Sequence, residues 1–141
     1  MRTVIVETPY GSPDPAERER NRRYLRACLH DCFRRGEAPM ASHAIYTQPG
    51  VLHDGVPEER NLGIAAGFDW RAGADATAVY IDRGVTEGMR HGIADAERIE
   101  AASRRTAPHS PRLWHEIEYR ELPPDVQWDS DEFATERWLE R

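Results

Sequence analysis

The chain lacks most of the features that would place it in a special class. No run among its 141 residues approaches the roughly 20 apolar positions of a membrane span, so no membrane is expected as a partner. Cysteine is scarce: Cys28 and Cys32 are the only two, four apart on a predicted helix. They lack Cys-x-x-Cys or paired-histidine spacing, which argues against a zinc site or a disulfide framework and for buried, reduced thiols. No metal or cofactor is expected. Cationic excess is missing as well, because the net charge is −6. The arginines between Arg18 and Arg26 stand beside Glu17 and Glu19, the pattern of a solvated helix face rather than a nucleic-acid footprint. Neither an internal repeat nor a low-complexity segment is present. The opening residues Met1–Glu7 read as a strand and not as a signal peptide, so the expected compartment is the cytoplasm.

What remains is an ordinary globular composition, 39% hydrophobic and 31% charged, in a length suited to one domain. Charge is uneven. From Pro123 to Arg141 six acidic residues face two arginines, whereas residues 1–122 are near neutral. The expected organisation is an α/β domain over 1–122 and an acidic tail over 123–141. In the tail Ser130 is placed to cap a short helix that packs Ala134, Trp138 and Leu139 on the body or on a partner subunit.

Strand and helix patterns alternate, which predicts a single-domain open parallel sheet of about four to five strands with helices on both faces. Thr3–Glu7 is the first strand. Asp14-Pro15-Ala16-Glu17 is a helix start, with an acid at the cap and proline at the first helical position. Leu25, Cys28, Leu29, Cys32 and Phe33 recur at helical spacing, and Gly36 ends that helix. Ala38–Ala44 is read as a second strand, followed by a long loop over 45–57 of the kind that carries function. Pro57 starts a helix running to about Ala72. Ala76–Ile81 reads as a buried strand, Thr86 to about Ser103 as a helix with Met89, Ile93, Ala96 and Ile99 inward, and Glu116–Leu122 as an edge strand.

A parallel sheet gathers the C-terminal ends of its strands, and the helix N-termini there offer N–H groups to anionic or hydroxyl-rich ligands. The first loop contributes Glu7, Thr8, Tyr10 and Gly11. The second contributes His43, Tyr46, Thr47 and Gln48, with Asp54 and Arg60 nearby. The third contributes Asp82, Gly84, Thr86, Glu87, Gly88 and Met89. Tyr10 and Tyr46 suit a ring, Arg60 suits a phosphate or carboxylate, and Glu7, Asp82 and Glu87 are the candidate catalytic carboxylates.

Three segments carry a family resemblance. They are Thr8-Pro9-Tyr10 after the first strand, Ala74-Asp75 at the entry of the buried strand, and Asp82, Gly84 and Thr86-Glu87-Gly88 at the helix start. In these the chain resembles the nucleoside 2-deoxyribosyltransferase superfamily. A fourth segment, His43-Ala44-Ile45-Tyr46-Thr47-Gln48-Pro49-Gly50-Val51-Leu52, resembles a small bacterial and phage subgroup of it. The resemblance covers about residues 3–122. It implies a nucleoside or nucleotide ligand, cleavage of an N-glycosidic bond, and a homo-oligomer. In those enzymes a helix glutamate attacks the sugar; counted from Gly88, that position falls on Gly92. The family glutamate is absent.

The expected function is therefore an N-glycosidic bond hydrolase or deoxyribosyltransferase-like enzyme. Two alternatives stand beside it: a non-catalytic nucleotide-binding module, and a partner-docking protein working through its tail.

Overall fold

β-Branched residues build the middle of the molecule. Val4, Ile5 and Val6 in β1 (Arg2–Glu7) and Thr77 and Val79 in β3 (Ala76–Tyr80) are all buried, as fits strands flanked on both sides. A computed structural model describes residues 1–136 and pairs these with β2 (Glu37–Met40) and β4 (Glu116–Arg120). The four strands form one all-parallel sheet in the order β2-β1-β3-β4. The register sets Val4 beside Ala76 and Glu7 beside Val79.

Four helices complete the α/β domain: α1 (Pro15–Arg34), α2 (Ser42–Tyr46), α3 (Pro57–Ala72) and α4 (Glu87–Thr106). The chain leaves β1 in one direction toward β2 and later moves the opposite way toward β4. Right-handed crossovers therefore put α1 on one face and α3 with α4 on the other. The order reverses between β1 and β3, and a crevice at such a switch point is where open α/β sheets bind ligands.

The two faces differ in chemistry. Side chains alternate along a strand. Val4, Val6, Ala76, Ala78 and Tyr80 join Tyr24, Leu25, Cys28 and Cys32 of α1 in an apolar core, with both cysteines free. The opposite parity presents Glu7 and Thr77 toward α3 and α4.

Local differences from the sequence reading have physical causes. β2 stops at Met40 rather than Ala44, because Ala41 is already the cap of α2. Pro39 in this edge strand also has no N–H to extend a ladder. His43 and Tyr46 consequently sit on a helix and not on a loop. Phe33 does not face the sheet but is exposed. The buried stripe of α1 instead includes Tyr24 and Asp31, whose polar atoms find inward partners in Asp82 and the Tyr80 hydroxyl.

The acidic tail folds back on the body. Phe133 and Ala134 are buried, and the guanidinium groups of Arg20 and Arg83 both lie over the ring of Trp128, which is edge-on to Tyr24. Arg20 pairs with Asp129 at 3.2 Å, and Arg26 donates to the Phe133 carbonyl at 2.8 Å. The arginine face of α1 is thus a docking strip for the tail rather than a merely solvated face. Asp131–Phe133 form a 3-10 turn after Ser130. Trp138 and Leu139 lie outside the described residues. Among the described residues no helix is long and apolar enough to cross a membrane.

Candidate functional site

Glu7 ends β1 on the α3/α4 face, directly at the switch point. It opens into a cavity of about 590 Å³ bounded by the loop after β1, by α2, by one side of α3 and by the first turns of α4. This is a volume that takes a small molecule.

The floor is ionic. Arg71, near the end of α3, is 4% exposed and uses every nitrogen of its fork. Nη2 pairs with Glu7 Oε1, Nε donates to Asp95 at 2.9 Å, and Nη1 donates to the Thr77 hydroxyl at 2.7 Å. Asp95, 1% exposed on the inner side of α4, also pairs with Arg98. Behind Thr77 stands buried His115, whose Nε2 is 2.7 Å from the Thr77 oxygen and whose Nδ1 is 2.9 Å from the Ala74 carbonyl. Burial lifts the Glu7 carboxyl above its ordinary value; Arg71 opposes that rise and Asp95 adds to it.

Glu7 reaches this position because residue 92 has no side chain. A Cβ built on Gly92 would lie 2.6 Å from Glu7 Oε2 and closer still to Oε1 and Cδ. No other residue leaves room for the carboxylate against α4.

One wall is aromatic. The rings of Tyr10 and His43 meet edge to face, with centroids 4.9 Å apart. His43 Nε2 lies 3.2 Å from the Thr8 hydroxyl, and burial pushes the imidazole down to about 4, so the ring is neutral at pH 7. Thr47 hydrogen-bonds the His43 carbonyl and lies 3.0 Å from the Tyr10 hydroxyl. Trp70 donates to the Tyr46 hydroxyl at 2.7 Å. At the mouth Arg60 and Asp54 are exposed and 4.0 Å apart. Carboxylates dominate the lining: Glu7, Asp54, Glu59 and Glu87 against Arg60 and Arg71.

Most residues singled out from the sequence meet in this cavity: Glu7, Thr8, Tyr10, Gly11, His43, Tyr46, Asp54, Arg60, Thr86, Glu87, Gly88 and Met89. The Thr86 hydroxyl is occupied in capping α4, where it accepts from the Met89 N–H at 3.2 Å. Three others stand apart. Asp82 shares the strand parity of Tyr80 and turns to the α1 face. Its carboxylate accepts from the Tyr24 hydroxyl at 2.5 Å and the Leu122 N–H at 3.1 Å, tying the end of β3 to α1 and to the residues just after β4. Gly84 makes a turn at φ +83 with its N–H on the Ile81 carbonyl. The Gln48 amide folds back onto the Ala44 carbonyl at 2.8 Å.

Sequence reasoning missed Arg71, Asp95, Thr77 and His115. The available signal was a charged residue on each buried helix stripe: Arg71 four residues after Gly67, and Asp95 next to Ala96. Among the described residues no group of three histidine, cysteine or acidic side chains is arranged to hold a metal ion.

Residues 2–106 match the family described as a domain of unknown function (DUF7768), and the chain belongs to that family. The matched segment contains the whole cavity lining and leaves β4 and the tail outside it. No curated protein and no solved structure matches the chain.

Proposed function

We propose that this member of the family binds a nucleoside or nucleotide and cleaves its N-glycosidic bond, with Glu7 as the working carboxylate. The observation that carries the reading is the exchange between Glu7 and Gly92. The resemblance puts a helix carboxylate at residue 92, and there a strand carboxylate fills the space that a side chain would have taken. One carboxylate is enough for either route. It attacks the anomeric carbon as the bond electrons leave with the base, or it takes a proton from a water that attacks the same carbon. In the first route solvent protonates the departing nitrogen and water then hydrolyses the glycosyl ester; in the second the carboxylic acid so formed, or solvent, protonates it. A carboxyl that burial lifts above its ordinary value, with Arg71 opposing the rise, suits a group that exchanges protons in this work.

Tyr10, His43 and Tyr46 supply a wall for the base. The excess of carboxylates favours a ligand without a phosphate. Exposed Leu62, Ile64 and Trp70 on α3 fit the homo-oligomer that the resemblance implies, in a cytoplasmic setting; light scattering reads the oligomer directly.

A second reading rests on the Arg71–Glu7 ion pair. If that pair is purely structural, the cavity is a nucleoside-binding module without turnover. Incubation with a panel of nucleosides and nucleotides, with chromatography for free base, separates the two. Base release by the wild type that Glu7→Gln abolishes supports the enzyme. Binding without release supports the module, and no binding at all overturns both.

A further inference from the structure

We infer that Arg71 is the positioning residue of this cavity: anchored from behind by Asp95 and Thr77, it holds Glu7 Oε1 and leaves Oε2 to face the ligand. The inference rests on the reading of Glu7 as the working carboxylate and assigns the group that orients it.

The geometry carries it. Arg71 engages three different partners with its three nitrogens, two of them, Asp95 and Thr77, on buried sites behind the cavity. A guanidinium fixed at three points cannot pivot, so it presents Nη2 in one direction only. Glu7 Oε1 takes that nitrogen. Oε2 has no hydrogen-bond partner among the described residues, and it is not sealed from solvent, because no buried side-chain oxygen is left unpartnered. One oxygen is therefore tethered and the other is presented to the cavity.

The anchor is itself oriented. The Ala74 carbonyl can only accept, so His115 Nδ1 carries the proton and the neutral ring's Nε2 is an acceptor. The Thr77 O–H then points to His115, which leaves the Thr77 oxygen to accept from Arg71. His115 thereby sets Thr77, Thr77 and Asp95 set Arg71, and Arg71 sets Glu7.

The charged and titratable groups that face Glu7 are few. Arg71 comes from α3, and Asp95, with Glu87 and His91 nearer the mouth, comes from α4. His43 faces it from α2, and Asp54, Glu59 and Arg60 stand at the outer rim. Of these Arg71 alone touches the carboxylate, and Asp95 is its nearest rival for the same guanidinium.

The experiment is a carboxyl titration of Glu7 by carbon NMR on ligand-free protein, in wild type, Arg71→Met and Asp95→Asn. Arg71→Met should move the Glu7 midpoint up by about one to three pH units, since burial then acts unopposed. Asp95→Asn should move it down, because a competing negative charge is gone. Where base release is measurable, the acid limb of its pH profile should follow each shift. Opposite shifts establish the positioning role; an unmoved midpoint in both folded variants overturns it. Should Arg71→Met fail to fold, Thr77→Val, which removes an uncharged anchor of the guanidinium, should raise the Glu7 midpoint, and an unmoved midpoint there overturns the role. Because the titration needs no substrate, its failure is distinct from an absence of base release, which would overturn the proposed activity instead.

Discussion

The carboxylate of Glu7 and the missing side chain of Gly92 occupy one and the same space. The strand residue is held there by Arg71, and the helix residue is glycine where a Cβ would collide with Oε1, Cδ and Oε2.

Gly92→Ala should therefore cost about 1–3 kcal/mol through overpacking, although alanine is the better helix former. In a Glu7→Ala background the cost should vanish or reverse by up to about 1 kcal/mol. Urea denaturation of the four proteins of this double-mutant cycle gives the coupling. Additive costs would mean that the two residues do not share the space.

Glu7→Gln should lower base release by about 10²–10⁴-fold while the nucleoside still binds. Its stability effect has a defined sign. The folded carboxyl is raised above its unfolded value, so wild type binds the proton more tightly when folded and loses stability as pH rises through that interval. Relative to the wild type, Glu7→Gln should gain stability as pH rises through that interval. Denaturant midpoints at several pH values check this, and a Glu7→Gln protein that loses ground to the wild type as pH rises would contradict it.

His43 acts in the other direction. Its folded value, about 4, lies below the unfolded one near 6.5, so the stabilisation is present above that range and lost as pH falls toward 4. Wild type should lose on the order of 2 kcal/mol more than His43→Gln between pH 7 and pH 4. Equal acid losses in the two proteins would place the histidine in a solvated setting.

Asp82→Asn should behave as a structural change. It weakens the bonds to Tyr24 and Leu122, which should cost about 1–2 kcal/mol, and it should leave base release within about twofold of wild type. A fall of a hundredfold in a folded Asp82→Asn protein would return that aspartate to the chemistry.

Much of the site was legible along the chain. Pro57 and Ala72 bound α3 as their sequence signals indicate, and Thr86 caps α4. Loops after successive strands were expected to converge, and residues from Glu7 to Met89 do line one cavity. Asp82 was assigned to the wrong face because a residue just beyond a strand can follow the strand's alternation or break it in the turn. Here it follows. Arg71 was missed because its partner lies 64 positions away, and no local pattern couples residues at that separation.

By itself the sequence determined the order of the four strands and of the three long helices, though not α2, and the open parallel sheet. These follow from periodicity, caps and turn residues, which are properties of neighbouring positions. Tertiary structure alone decided three other matters: that Glu7 and not Asp82 faces the cavity, that Gly92 makes room for it, and that the tail lies on the arginines of α1. Each depends on which faces of distant elements are brought into contact. Burial then makes the pairing of charges a condition of the fold, because a buried charge without a partner is too costly to keep.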